Sequence, residues 1–355
     1  MRLEEKIFLA PHVSGLRTQA SSLKPRNPMH HSLKDHRAPR QWASIWKDAP
    51  GLICCCPGGA GTLQAYHVFG GDTEGSGPAV LRNSNYMWST GAWTAKATMS
   101  AARYWMGSAT PTMTGSAYTF GGLDATSFLS RSDNYTGTGD VWATDTAMPT
   151  KRYDSTCSGI AIASLGYDFG GTDDAGTILS LNYQLTPGTP SGSSWATKTA
   201  MPAARSNGAA GYIAAFGYFF GGFSAGPTQQ KTTYRYDASG DSWTTKTNYP
   251  TTARDSQSAM SLSSAVYVIN GSPTNLPKIN YQYVDDAWTL MATPPNGAFD
   301  MPCGAGIDAA TVGWQTGGNN SLGSSQGMHI EYTPNAWSTR TNLPISIGHG
   351  TASPA

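Results

Sequence analysis

Charge is scarce in this chain. Of its 355 residues, 23 are basic and 22 acidic, 13% together, against roughly 25% in an ordinary soluble protein. That scarcity excludes a disordered polyelectrolyte and a helical bundle rich in Glu and Lys. A formal net charge of +1 excludes the broad basic footprint that nucleic acid requires. Long apolar runs are missing as well: no stretch approaches about 18 residues, so no segment reads as a membrane span. A secretory leader is not expected either. Glu4 and Glu5 stand where a basic region belongs, and the apolar run Ile7–Ala10 is short. The five cysteines form no C-x-x-C pair and have no histidine at zinc-ligand spacing. Cys54, Cys55 and Cys56 are adjacent, and on a strand the middle one would face away from the other two. All five read as small packing residues, so no metal and no cofactor is expected.

What charge there is lies unevenly. Residues 1–50 hold 9 basic and 4 acidic residues and four of the seven histidines, His12, His30, His31 and His36. With Pro11, Pro25, Pro28 and Pro39 and little apolar periodicity, this segment reads as a basic N-terminal arm. Residues 51–355 read as a separate domain.

That domain repeats. An aromatic followed by a glycine doublet occurs at Gly70-Gly71, Gly121-Gly122, Gly170-Gly171 and Gly221-Gly222, with degenerate forms at Asn270-Gly271 and Gly317-Gly318. The six pairs are 51, 49, 51, 49 and 47 residues apart. A tryptophan follows each: Trp93, Trp142, Trp195, Trp243, Trp288 and Trp337. Seven residues beyond it stand Ser100, Pro149, Pro202, Pro250, Pro295 and Pro344, and three or four further on come Arg103, Arg152, Arg205 and Arg254. Each unit divides into four short segments rich in Thr, Tyr, Phe and Val, separated by Gly, Asn, Asp and Ser. In the second unit these are Tyr104–Ala109, Ser116–Phe120, Leu129–Tyr135 and the segment holding Trp142. Paired glycines admit positive φ and close approach of a neighbour. The indoles supply apolar area between sheets, and an arginine with five donors can tie loop carbonyls together.

Glycine doublet, Trp and Pro-x-x-Arg at these spacings resemble the kelch-repeat family over about residues 51–344. The resemblance implies an all-β fold, a β-propeller with one four-stranded blade per repeat. Six blades are favoured over seven, because residues 1–40 carry no glycine doublet. Ile345–Pro354 looks like an additional inner strand, and the Cys54–Cys56 run falls where the inner strand of the first unit belongs.

On a propeller, function sits on loops at the faces and in the channel. Asp72, Glu74, Asp124, Asp173 and Asp174 follow the doublets and are the candidate ligand loops, able to meet calcium or a sugar; the plainer reading is that Asp begins Asx turns. Asp241 and Asp285-Asp286 are read as turn residues too. The repeated arginines read as struts between units. Off the repeat slots, Trp88, Trp105 and Trp314 are the candidates for exposed stacking platforms, with Trp105 near the channel. His67, His329 and His349 are too few for a metal triad, and no residue carries the catalytic roles of galactose oxidase-like or sialic acid mutarotase-like kelch enzymes. The expected function is therefore a non-enzymatic binding or structural propeller. Low charge and a Gly/Ser/Thr/Ala-rich body resemble phage and bacterial kelch proteins. This implies a virion setting, as a head decoration or tail-fibre module, with other virion or surface proteins or glycans as partners and neither nucleic acid nor membrane. A carbohydrate-active enzyme and an exported lectin-like domain are the alternatives.

Overall fold

The computed structural model describes residues 65–73, 80–109, 116–155, 161–162, 164–188, 191–225, 228–262, 264–272, 278–295, 303–307, 312–318, 326–333, 335–346 and 351–354. These residues form strands and no helix. Six antiparallel sheets of four strands dominate. The second sheet orders Gly107–Ala109, Ser116–Phe120, Ser132–Thr136 and Val141–Asp145. The third runs Ala161–Ile162, Leu165–Phe169, Asn182–Thr186, Ser194–Lys198. The fourth runs Ala209–Ile213, Phe216–Phe220, Thr233–Asp237, Ser242–Lys246. The fifth runs Ser258–Leu262, Ala265–Ile269, Asn280–Val284, Ala287–Leu290. The sixth runs Cys303–Ile307, Val312–Thr316, His329–Thr333, Ala336–Thr339. Each is a sequential meander.

The first sheet is different. Its order is Thr351–Pro354, Ala65–Phe69, Asn85–Ser89 and Ala92–Ala95, so the last strand of the chain forms its first position. Tyr66 pairs with Pro354 and Phe69 with Thr351. This corrects the reading of the Cys54–Cys56 run as that inner strand: the edge of Ala65–Phe69 is already occupied. The run itself, Cys157, Glu74 and residues 1–64 lie outside the described residues, and of Cys303 only the strand position is described.

Second strands such as Ser116–Phe120 and Ala265–Ile269 are buried throughout, while fourth strands such as Ala287–Leu290 are mostly exposed. A strand covered on both faces has no room for unpaired charge, which accounts for the low charge of the body.

The repeat slots join neighbouring units. The Gly71 N–H donates to the carbonyl of Arg103 in the next unit at 3.0 Å, and the same bond recurs from Gly122 to Arg152, Gly171 to Arg205 and Gly222 to Arg254. A Cβ on Gly121 would lie 2.6 Å from the Arg152 carbonyl oxygen and 2.9 Å from Met148 Cε, and both doublet residues sit at positive φ (62° and 87°). Asn270 stands in the first doublet slot of the fifth unit with φ 52°, a conformation Asn tolerates better than other side chains. Each arginine then turns its side chain into its own unit. Arg103 donates to the carbonyls of Gly121 and Arg131 and pairs with Asp133; Arg152 donates to Gly170 and pairs with Asp168. Among the described residues Arg205 has no acid partner: it donates to the hydroxyls of Thr232 and Tyr234, the Ala204 carbonyl and the Gln230 amide oxygen.

All six repeat tryptophans are half-buried, with the indole N–H spent across a junction. They donate to the carbonyl four residues beyond the preceding unit's Trp: Trp142 to Ala97, Trp195 to Thr146, Trp243 to Thr199, Trp288 to Thr247 and Trp337 to Ala292, at 2.7 to 3.0 Å. Trp93 of the first unit donates to Thr341 of the sixth at 2.8 Å.

Candidate functional site

The loops that follow the glycine doublets bring several candidate residues onto one stretch of surface. Tyr104 bridges to Leu123 and Leu123 to Phe128; one unit on, Tyr153 bridges to Thr172 and Thr172 to Ile178. The Asp124 and Asp173 turns are held between those bridges. Asp124 Oδ1 accepts the N–H groups of Thr126 (2.8 Å) and Ser127 (2.7 Å) and the Thr126 hydroxyl. The backbone N–H of Thr126 leads the causes that hold its carboxyl below the usual range. Asp173 Oδ1 accepts Ala175 and Thr177 N–H. Both are therefore Asx turns, the plainer of the two expectations. Asp174 is exposed beside them, and Asp72 is buried in a two-stranded hairpin of Asp72–Thr73 with Val80–Leu81.

Between the turns lies an aromatic ledge. Trp105 stacks on Tyr153 (centroids 5.4 Å, 26° between planes), Phe128 stacks on the same tyrosine (5.0 Å, 27°), and Tyr104 lies 4.6 Å from Trp105. All four rings are half-buried. Of the three off-slot tryptophans only Trp105 keeps exposed surface. Trp88 and Trp314, expected as further platforms, are 4% and 0% exposed. They are consumed by packing with Tyr66 and His329: Trp314 lies on Tyr66 at 4.8 Å and Trp88 lies 4.4 Å from His329.

Trp105 also belongs to a backbone ladder that the sequence did not disclose. Its φ is 55°, and its carbonyl accepts the Asp154 N–H; the Asp154 carbonyl accepts Asn207 N–H, and the Asn207 carbonyl accepts Ser256 N–H. All four residues sit two positions after a repeat arginine, all at positive φ. Beside Ser256, burial pushes the Asp255 carboxyl above its ordinary range while Ser256 and Gln229 hydrogen-bond to it. Because the rings stack on one another, the half-exposed ledge presents mainly ring edges, an apolar surface against which the C–H groups of a sugar can lie with hydroxyls meeting the flanking acids.

Asp241 and Asp286 are more than turn residues. Asp241 Oδ1 accepts the Thr199 N–H (2.9 Å) and the Tyr236 hydroxyl (2.7 Å); Asp286 Oδ1 accepts the Thr247 N–H (2.7 Å) and the Tyr283 hydroxyl (2.9 Å). Each clamps one unit to the one before. Their local signature is that of a turn, so the partner across the junction was not legible.

Among the described residues no group of three or more His, Cys, Asp and Glu is placed to hold a metal ion, and no helix is long and apolar enough to cross a membrane. The structure is an all-β protein of small antiparallel sheets, consistent with a propeller. In fold it is similar to the solved structure described as YjhT, with a TM-score of 0.60 and 12% identity over 77% of this chain and 97% of that one. No protein-family model matches the chain, and no curated protein matches it.

Proposed function

We propose that the chain is a kelch-type propeller of six blades, closed by its C-terminal strand, that works as a non-enzymatic binding module. Its ligand face is the doublet-loop face, and glycans are its partners there. The carrying observation is the Trp105–Tyr153–Phe128 ledge, whose rings keep exposed area between two acidic turns. The repeated Trp bond, which joins unit six to unit one as it joins every other pair, supports the six-fold reading. A virion setting, with other surface proteins as neighbours, rests on composition alone. The alternative is a carbohydrate-active enzyme on the same fold.

The test is a glycan-array screen of the whole protein followed by calorimetry on any hit. Binding that falls at least tenfold in Trp105→Ala, with the melting temperature within a few degrees of the parent, supports the reading. Sugar turnover in the same mixtures, such as accelerated anomer exchange followed by NMR, overturns it in favour of the enzyme. Hits unaffected by Trp105→Ala place the ligand elsewhere.

A further inference from the structure

Five of the six junctions carry a side-chain clamp at one position, two residues before the repeat tryptophan or directly opposite it. Asp140, Asp241 and Asp286 accept the N–H of Ala97, Thr199 and Thr247 respectively at 2.7 to 2.9 Å, and Asn335 takes the Ala292 N–H at 2.7 Å. At the second junction the acid comes from the other side: Asp145 Oδ1 accepts Thr146, Gly192 and Ser193 N–H. At these five junctions the equivalent N–H donates to an acidic or amide oxygen.

The junction between the sixth unit and the first breaks this rule. Gly91 occupies the clamp slot, and Trp88 stands five residues before the repeat tryptophan, where Tyr283 and Tyr332 stand in their units. Gly91 has φ 86°, and a Cβ built on it meets nothing within 4 Å. No side chain among the described residues accepts the Thr341 N–H. The space is a cleft of about 400 Å³, lined by Trp88, Thr90, Gly91, Glu331, Arg340 and Thr341. Arg340 spends Nε and one terminal nitrogen on Glu331, which is also held by the Trp314 N–H at 3.2 Å, and the Arg340 side chain stays 42% exposed.

We infer that this cleft binds a sugar acid, whose carboxylate takes the place of the missing clamp carboxylate. The carboxylate accepts the Thr341 N–H and a free Arg340 N–H, a charge-assisted pair of the kind guanidinium groups favour. The hydroxyls of Thr90 and Thr341 meet the ring hydroxyls, and only the edge of the buried Trp88 reaches the floor of the cleft. The cleft falls within the size range of small-molecule sites. Its neighbours pair Arg340 with only one acid, so a second carboxylate is electrostatically admissible. The site differs in place and in ligand charge from the glycan face proposed above and does not rest on it.

The test uses the whole protein and three probes, glucuronate, glucose and acetate, followed by saturation-transfer NMR and calorimetry. Glucuronate is expected to bind and the other two to bind at least tenfold more weakly. Gly91→Asp installs the clamp found at the other junctions and is expected to abolish glucuronate binding while the protein keeps its cooperative thermal transition. Arg340→Gln, whose amide can still donate to Glu331, is expected to weaken binding at least tenfold while the near-UV circular dichroism of the folded protein is retained. Trp105→Ala should leave it unchanged. Glucose binding as well as glucuronate, acetate binding as well as glucuronate, no glucuronate binding, or binding that survives both cleft variants would each overturn the inference.

Discussion

The indole N–H of Trp93 lies 2.8 Å from the carbonyl oxygen of Thr341, across 248 positions of sequence. It ties the first unit to the sixth by the bond that every other unit makes to its predecessor. Beside it, Thr351–Pro354 pairs with Ala65–Phe69. Removing residues 346–355 leaves the Ala65–Phe69 edge bare, and unpaired buried backbone groups are costly. The truncated chain is expected to lose its cooperative thermal transition or to melt at least 10 °C lower in calorimetry. A truncation that melts like the parent would refute closure by the last strand. Trp93→Phe should cost about 1–2 kcal/mol, one hydrogen bond plus lost area, and Trp142→Phe should cost a similar amount.

The arginine slot makes a graded prediction. Arg103 is fully buried and paired with Asp133, also fully buried. Burial leads the causes that lower its pKa to about 10, so it remains charged at neutral pH. Removing one member of a buried pair leaves the other uncompensated, at about 3–5 kcal/mol. Among the described residues Arg205 meets hydroxyl, carbonyl and amide groups and no carboxylate. Urea unfolding should therefore show Asp133→Ala costing more than Thr232→Ala by at least about 2 kcal/mol. Equal losses would mean that the ion pair is not what holds the second unit.

Much of this arrangement was readable from identity at fixed spacing. The doublets, Trp93 through Trp337 and the arginines recur because each fills a slot that only its chemistry satisfies. Slots filled by volume alone were not readable. The residue six beyond each repeat Trp is Met99, Met148, Met201, Tyr249, Pro294 or Leu343, all buried, and the methionine tips fill the space over the doublets; the identity changes while the job does not. The fate of Thr351–Pro354 was half legible. It looked like an inner strand, but four residues cannot name the sheet they join. At the candidate site the Asx turns followed from local chemistry, whereas the meeting of Trp105, Tyr153 and Phe128 depends on bridges between loops.

The glycine doublets give a third prediction. Gly121→Ala would put a methyl group 2.6 Å from the Arg152 carbonyl oxygen at φ 62°. Gly176 has a comparable φ of 77° and open space around it. The conformational penalty, about 1–2 kcal/mol, is common to both, so the difference isolates the junction contact. Chemical denaturation should show Gly121→Ala destabilising by at least about 2 kcal/mol more than Gly176→Ala. Equal effects would assign the doublet to φ alone.

The last prediction concerns acid. His329 is fully buried against Tyr66, Trp88 and Trp93, with Nδ1 bonded to the Tyr66 hydroxyl at 2.7 Å. Burial first, and then the nearby Arg340 charge, lower its pKa from 6.5 to about 3. Burial lowers His67 as well. The unfolded chain takes these protons below its own pKa near 6.5, while the folded chain refuses them. Stability is therefore complete above that value and falls as pH descends from 6.5 towards 3, by about 1.4 kcal/mol per pH unit for His329. Between pH 6.5 and about 4.5 the clamp acids Asp140, Asp241 and Asp286, all lowered from 3.8, stay ionised, so the histidines dominate the slope. Asp255, raised by burial, works in the opposite direction. Urea midpoints measured at pH 7, 5.5 and 4.5 should fall steadily in the parent and less steeply in His329→Gln, whose amide can still meet the Tyr66 hydroxyl. Parallel slopes for the two proteins would mean that His329 accepts its proton in the folded state, and that the packing around Tyr66 is looser than its ring contacts imply.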